Sequence, residues 1–206
     1  MKYFFTFLWF TASTAAALYA QELETLFNED QALGGFGAPI VEISQINQQT
    51  GSSIGGGGAA IFGPLYIGGY GIGGKYAQTT VDDNKYNIKM SHGGLWLGYV
   101  PAQHKVIHPY SSLRIGWGSA KLREDGNKDN VPYSDNIFVL NPEAGFEINV
   151  IEFLKISVTA SYRWVDGVTD LPGLSTKDFR GFGGVITFRF GDFDGEDDDG
   201  NWGISF

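Results

Sequence analysis

The sequence predicts an all-β protein, a single up-and-down antiparallel transmembrane β-barrel of eight strands. Three observations lead there. The run from Phe179 to Phe190 places Phe182, Gly184, Ile186, Phe188 and Phe190 on one face and Arg180, Val185, Thr187 and Arg189 on or near the other, a period of two with one greasy and one polar surface. The chain opens with an export-type leader, so a greasy outer face suggests lipid. Glycine makes up 30 of 206 residues and aromatics 15%; the glycine share is about twice the usual ~7%, which suits closely packed curved strands better than helices.

Taken in order, residues 1–20 read as a secretory signal peptide: Lys2, an apolar stretch over 3–9, small residues over 11–17, and a cleavage point after Ala20. The leader is too short and too soon interrupted by Thr and Ser to span a bilayer, and no later segment offers the ~18 consecutive apolar residues of a membrane helix. Residues 21–35 are acidic and patternless, a periplasmic lead-in. Residues 36–190 form the expected barrel, in eight runs at 36–47, 52–63, 65–77, 85–100, 106–122, 136–151, 154–166 and 179–190. Each reaches the ~9 to 11 residues that a tilted strand needs to cross hydrocarbon. Residues 191–206 make an acidic tail, expected on the periplasmic side because Asp192–Asp199 could not lie in hydrocarbon.

The connections alternate in length. Gly63-Pro64, 101–105 and 151–154 are short, whereas 48–51, 78–84, 123–135 and 167–178 are mostly longer and rich in Asp, Asn, Gly and Pro. Short periplasmic turns and longer external loops are the signature of an up-and-down membrane barrel with both ends on the periplasmic side.

Faces follow from alternation. In the sixth run Phe138, Leu140, Ala144, Phe146, Ile148 and Val150 oppose Asn141, Glu143, Gly145, Glu147 and Asn149; in the seventh Ile156, Val158, Ala160, Tyr162 and Trp164 oppose Ser157, Thr159, Ser161 and Arg163. The fifth sets Leu113, Ile115 and Trp117 against Arg114, Gly116, Gly118 and Ala120. The second and third are harder, because 11 of the 24 residues from Gly51 to Gly74 are glycine. There Ile54, Ala60, Phe62, Tyr66, Tyr70 and Ile72 mark the expected outer face. Pro109 fits the start of a strand, and Pro142 is expected to mark a bulge. Trp96, Trp117, Trp164, Tyr76, Tyr86, Tyr99, Tyr110, Tyr162 and Phe179 sit near strand ends and are candidates for an interfacial girdle.

The chemistry is sparse. Without Lys2 the chain carries 13 basic against 23 acidic residues, which argues against nucleic acid as partner. Cysteine is absent, excluding disulfides, thiolate metal sites and thiol nucleophiles. Arg114, Arg163 and Arg189 share the expected inner face with Glu143 and Glu147. The lumen of an eight-stranded barrel is just wide enough for side chains to fill, and polar groups buried there must pair, so a luminal Arg/Glu network is predicted. His104 and His108 flank a turn without the stacking a helix would give, so no metal site is expected. Ser91 and His92 are neighbours on a strand and therefore point to opposite faces, which weakens any Ser-His-Asp arrangement with Asp82 or Asp83. Asp192, Asp194, Gly195 and Asp197–Asp199 have a calcium-loop look without its closing glutamate. Glycines 55–58 lack the Gly-Lys-Ser/Thr ending of a phosphate loop. No cofactor is expected.

The stretches 34–74 and 141–167, with the closing run 179–190, resemble small outer-membrane β-barrel proteins of the Bacteroidetes type, a family largely without assigned function. That resemblance implies the outer membrane of a Gram-negative bacterium, membrane lipid as surroundings, and Ile186, Phe188 and Phe190 as the signal read by the barrel assembly machinery. The expected role is structural or surface-interacting, through external loops whose ligand or protein partner the sequence does not name. The alternatives are a narrow channel, a surface enzyme using His92, and a soluble lipocalin-like binder with its apolar face turned inward.

Overall fold

The computed structural model describes residues 33–126 and 131–193. The leader, the lead-in before Leu33 and the tail beyond Phe193, with its calcium-like carboxylates from Asp194 on, lie outside the described residues. Eight strands follow one another: β1 (Leu33–Ile46), β2 (Gln49–Phe62), β3 (Leu65–Val81), β4 (Asn84–Tyr99), β5 (Ile107–Glu124), β6 (Tyr133–Ile151), β7 (Leu154–Asp166) and β8 (Gly181–Asp192). Each pairs antiparallel with the next, and β8 returns to β1 with Val41 opposite Ile186. The result is a closed up-and-down barrel, which leaves no strand edge unpaired.

Connection lengths sort by end only in part: the two longest are distal, but two distal connections are as short as any. At the end where β1 starts and β8 finishes, here the terminal end, lie Gly63-Pro64, 100–106 and Glu152-Phe153. At the distal end, β5–β6 and β7–β8 are joined by 125–132 and 167–180, and the second of these contains one 3₁₀ turn, Thr176–Phe179. The other two distal connections are tighter than the sequence suggests. Asn47-Gln48 and Asp82-Asp83 are two-residue turns with both φ values positive, 50° and 59°, then 47° and 65°. That backbone matches the right-handed twist of the flanking strands, so the strands absorb what had been read as loops at 48–51 and 78–84.

Alternation holds around the barrel. Phe146, Trp117 and Phe182 face outward at 63%, 60% and 78% exposure, while Arg114, Glu147 and Arg163 face inward at 0%. Three expectations need correction. On β3 the outward residues are Leu65, Ile67, Gly69, Gly71, Gly73 and Lys75, and Tyr66, Tyr70 and Ile72 point into the lumen, each under 9% exposed. Both faces of β3 are apolar, so hydrophobicity cannot assign them; the interior takes the bulky rings because it has volume to fill. Trp96, Tyr76, Tyr86, Tyr110 and Phe179 are likewise luminal, leaving Trp117, Trp164, Tyr99 and Tyr162 as the outward members of the girdle set. Pro142 makes no bulge: it stands in register opposite Leu113 and faces outward, and the β6–β7 register is the same on either side of it. Without an N–H, an outward proline costs the ladder a bond but no extra residue. Irregularities in register fall instead at Lys75/Gln78 and Asn149/Ile151.

Inward glycines make room for the rings. A Cβ on Gly98 would collide with the Tyr66 ring, one on Gly51 with Tyr76, and one on Gly116 with the Tyr70 hydroxyl. The interior thus stacks as two apolar plugs with a polar belt between. The terminal plug is built on Phe36, Tyr66, Trp96, Tyr110 and Phe193, the distal one on Ile46, Ile88, Met90, Leu122, Val139 and Phe179.

Candidate functional site: the luminal charge belt

Glu42 centres the belt, carried inward on β1 between the outward Val41 and Ile43. Its Oε2 accepts from Arg114 Nη2 at 2.7 Å, and its Oε1 from Arg163 Nη1 at 3.0 Å. Arg114 Nε in turn lies 2.5 Å from Glu143 Oε1, an ion pair rather than an aligned hydrogen bond. One carboxylate on the first strand therefore ties together guanidinium groups on the fifth and seventh.

Arg163 is held on every side. Its Nη1 also donates to Ser44 Oγ at 2.7 Å and Tyr76 Oη at 3.1 Å, its Nη2 to the Gln45 carbonyl at 2.8 Å, and its Nε to the Phe179 carbonyl at 3.0 Å. The last bond reaches out of the barrel wall into the 167–180 connection. That segment folds back over the distal mouth: Val168, Leu171 and Phe179 are buried, and Asp135 Oδ2 accepts from the backbone N–H groups of Thr169 and Asp170, each at 2.9 Å. The Asn47 N–H adds a bond to the Asp178 carbonyl at 2.7 Å.

A second cluster lies nearer the terminal end. Arg189 Nη1 donates to Glu147 Oε2 at 2.9 Å, and His108 Nε2 meets Glu147 Oε1 at 3.1 Å while its Nδ1 meets the Lys105 carbonyl at 2.9 Å. The Arg189 guanidinium sits in a box of rings, 4.2 Å from the centroid of Phe36, 5.1 Å from Phe193, 5.2 Å from Tyr66 and 5.7 Å from Tyr110. Delocalised and weakly hydrated, guanidinium suits such a box better than ammonium. Phe193, beyond the last strand, also lies 4.3 Å beneath the Lys155 ammonium. It closes the terminal mouth in a stretch assigned from sequence to the acidic tail.

All five residues of the expected luminal network thus face the interior, as two clusters and not one: Arg114, Arg163 and Glu143 around Glu42, and Arg189 with Glu147. Glu42 and His108 were missed. The signal for Glu42 was present, since a lone carboxylate between two β-branched apolar residues mid-strand has only the lumen to face. His92 is inward too, its Nδ1 2.9 Å from Tyr70 Oη, whereas Ser91 is exposed on the outer surface. The two never share a face, so no Ser-His-Asp site assembles there. Ile186, Phe188 and Phe190 lie on the outer face of β8. Among the described residues no group of three or more His, Asp or Glu side chains could hold a metal ion.

No family model matches the chain, and no curated protein matches it. Solved structures do. Neisserial surface protein A (NspA) superposes with a TM-score of 0.55 at 10% identity over 77% of this chain and 96% of that one. The N-terminal β-barrel domain of Pseudomonas aeruginosa OprF gives 0.46 at 13%, covering 78% and 98%, and Ail of Yersinia pestis, in complex with the heparin analogue sucrose octasulfate, 0.44 at 15%, covering 77% and 96%. The fold is that of a small eight-stranded barrel, shared at the level of architecture.

Proposed function

We propose that this chain is a closed outer-membrane barrel of a Gram-negative bacterium, exported with a cleaved leader, whose role is structural or surface-interacting through its distal connections. The observation that carries the reading is a lumen filled end to end: an aromatic plug, a paired charge belt, a second apolar plug and a connection folded over the mouth. Such an interior holds the barrel together and leaves no water-filled conduit. Supporting membrane placement, Ile54, Phe146, Trp117, Val158 and Phe182 are exposed on the outer wall, a band that would drive aggregation in water. The glycine and aromatic spacing resembling Bacteroidetes-type barrels agrees with it, as does the surface location printed in the name of NspA. Ile186, Phe188 and Phe190 are assigned as the signal for the assembly machinery, with the lead-in and the acidic tail on the periplasmic side.

Catalysis is not part of this reading, because Glu42, Glu143 and Glu147 are each paired with a guanidinium and lie buried. The test is reconstitution in planar bilayers with surface proteolysis of intact cells. We expect no stepwise conductance, and cleavage confined to 125–132 and 167–180; regular conductance steps from the unmodified chain would favour a narrow channel and overturn the closed-barrel reading.

A further inference from the structure

The outer wall carries a second built feature, away from the lumen. On β3, β4 and β5, Lys75 stands directly opposite Lys89, and Lys89 directly opposite Lys121, with Arg123 two residues further along the same face of β5. These four line one depression of about 390 Å³ floored by Gly73 and Ser91. Like charges directly opposite one another weaken a sheet. The chain as a whole is acidic, at −9, yet places four of its 14 Lys and Arg residues here. Among the described residues Lys75, Lys121 and Arg123 form no ion pair, and Arg123 Nε is buried without a hydrogen-bond partner.

Toward mid-barrel the same face becomes a trough of glycines. Gly73, Gly71 and Gly69 follow in sequence on β3, and Gly71 pairs with Gly93 on β4. Inside the barrel glycine is forced, since a Cβ on Gly68 or Gly74 would strike the neighbouring strand. On the outer face of β4 Gly93 is forced as well, its Cβ meeting the Tyr70 carbonyl, but on the outer face of β3 glycine is not. A Cβ on Gly71 meets nothing within 4 Å, and those on Gly69 and Gly73 approach only to 3.6 and 3.4 Å. Glycine in a strand costs conformational entropy, and three in alternation on one open face, before the irregularity at Lys75/Gln78, leave a smooth surface that another group can approach closely.

We propose that this wall seats a phosphorylated lipid of the distal leaflet, its phosphate held by Lys75, Lys121 and Arg123 and one acyl chain lying along Gly73, Gly71 and Gly69. Clustered ammonium and guanidinium groups suit a phosphate, and a smooth floor continuing from them toward mid-membrane suits an acyl chain. A second copy of the chain fits poorly, because a two-fold contact would set cations against cations. The assignment rests on the membrane reading above.

The test uses the full chain in detergent, with bis-phosphorylated lipid A and the same lipid stripped of phosphate as probes, and retention read by native mass spectrometry. The triple substitution Lys75→Gln, Lys121→Gln, Arg123→Gln should weaken phosphorylated-lipid binding by at least about tenfold and abolish the preference for phosphate. Gly71→Leu should weaken both lipids while keeping that preference. Inorganic phosphate at equal concentration should displace neither lipid. Equal binding of the two lipids by the native chain, a preference surviving the triple substitution, or displacement by inorganic phosphate would overturn the site. Heat-modifiable gel mobility and vesicle insertion monitor folding. Failure of the native chain to insert refutes the membrane reading together with the site, whereas insertion without phosphate preference refutes the site alone.

Discussion

Replacing Glu42 with Gln tests the charge belt most directly. The carboxylate is 1% exposed and accepts from Arg114 at 2.7 Å and Arg163 at 3.0 Å. The amide keeps the shape and loses the charge, leaving Glu143 as the one carboxylate paired with Arg114 and none paired with Arg163. Removing one partner of a buried pair costs about 3–5 kcal/mol, most of it from the charge left behind. Arg163 retains Ser44, Tyr76 and two carbonyls as acceptors, which favours the lower half of that range. The assay is urea unfolding of chain refolded into vesicles, followed by tryptophan fluorescence and gel mobility, at several urea concentrations to separate a midpoint shift from a slope change. Glu42→Gln with Arg163→Gln closes a double-mutant cycle, and the pair should lose less than the two singles added. A loss below about 1 kcal/mol for Glu42→Gln, or strict additivity, would refute the view that this carboxylate organises the interior.

Three further outcomes follow from the packing. Gly98→Ala should cost about 1–3 kcal/mol, because its methyl would enter the Tyr66 ring and overpack the core, while Gly71→Ala on the outer wall should leave the urea midpoint nearly unchanged. Gln48→Gly should raise stability by about 0.5–1 kcal/mol, since a non-glycine residue at φ 59° carries left-handed strain; an unchanged or lower midpoint would argue against a strained turn. Phe179→Ala removes a fully buried ring at the distal mouth and should cost about 3–5 kcal/mol or speed cleavage within 167–180 over the native rate at an unchanged midpoint; neither effect would mean that the connection does not cap the lumen.

The strands that were legible in sequence are those whose two faces differ in chemistry. On β6 and β7 serines, glutamates and an arginine alternate with apolar residues, so a period of two reveals both strand and orientation, and the inward placement of Glu143, Glu147 and Arg163 follows. β3 defeated the same reasoning because it offers rings to the interior and isoleucine and glycine to the exterior, and polarity carries no information where both sides are apolar. The girdle candidates failed for a related reason: nearness to a strand end fixes depth, not face, so Trp96 and Tyr110 went to the lumen while Trp117 and Tyr99 did not. Turn geometry at Asn47-Gln48 was hidden because glutamine is not a residue that advertises positive φ. Phe193 was obscured by the acidic residues that follow it.

Glu42 meets its arginines 72 and 121 residues further along the chain, and these contacts exist only when the first strand has come round to face the fifth and seventh. A half-zipped sheet therefore leaves Arg163 without its carboxylate and Arg114 with Glu143 alone, an arrangement with nothing to recommend it energetically. Closure of the seam between first and last strands completes these pairs, making the interior wiring a latch on the closed form as much as a brace on the finished wall.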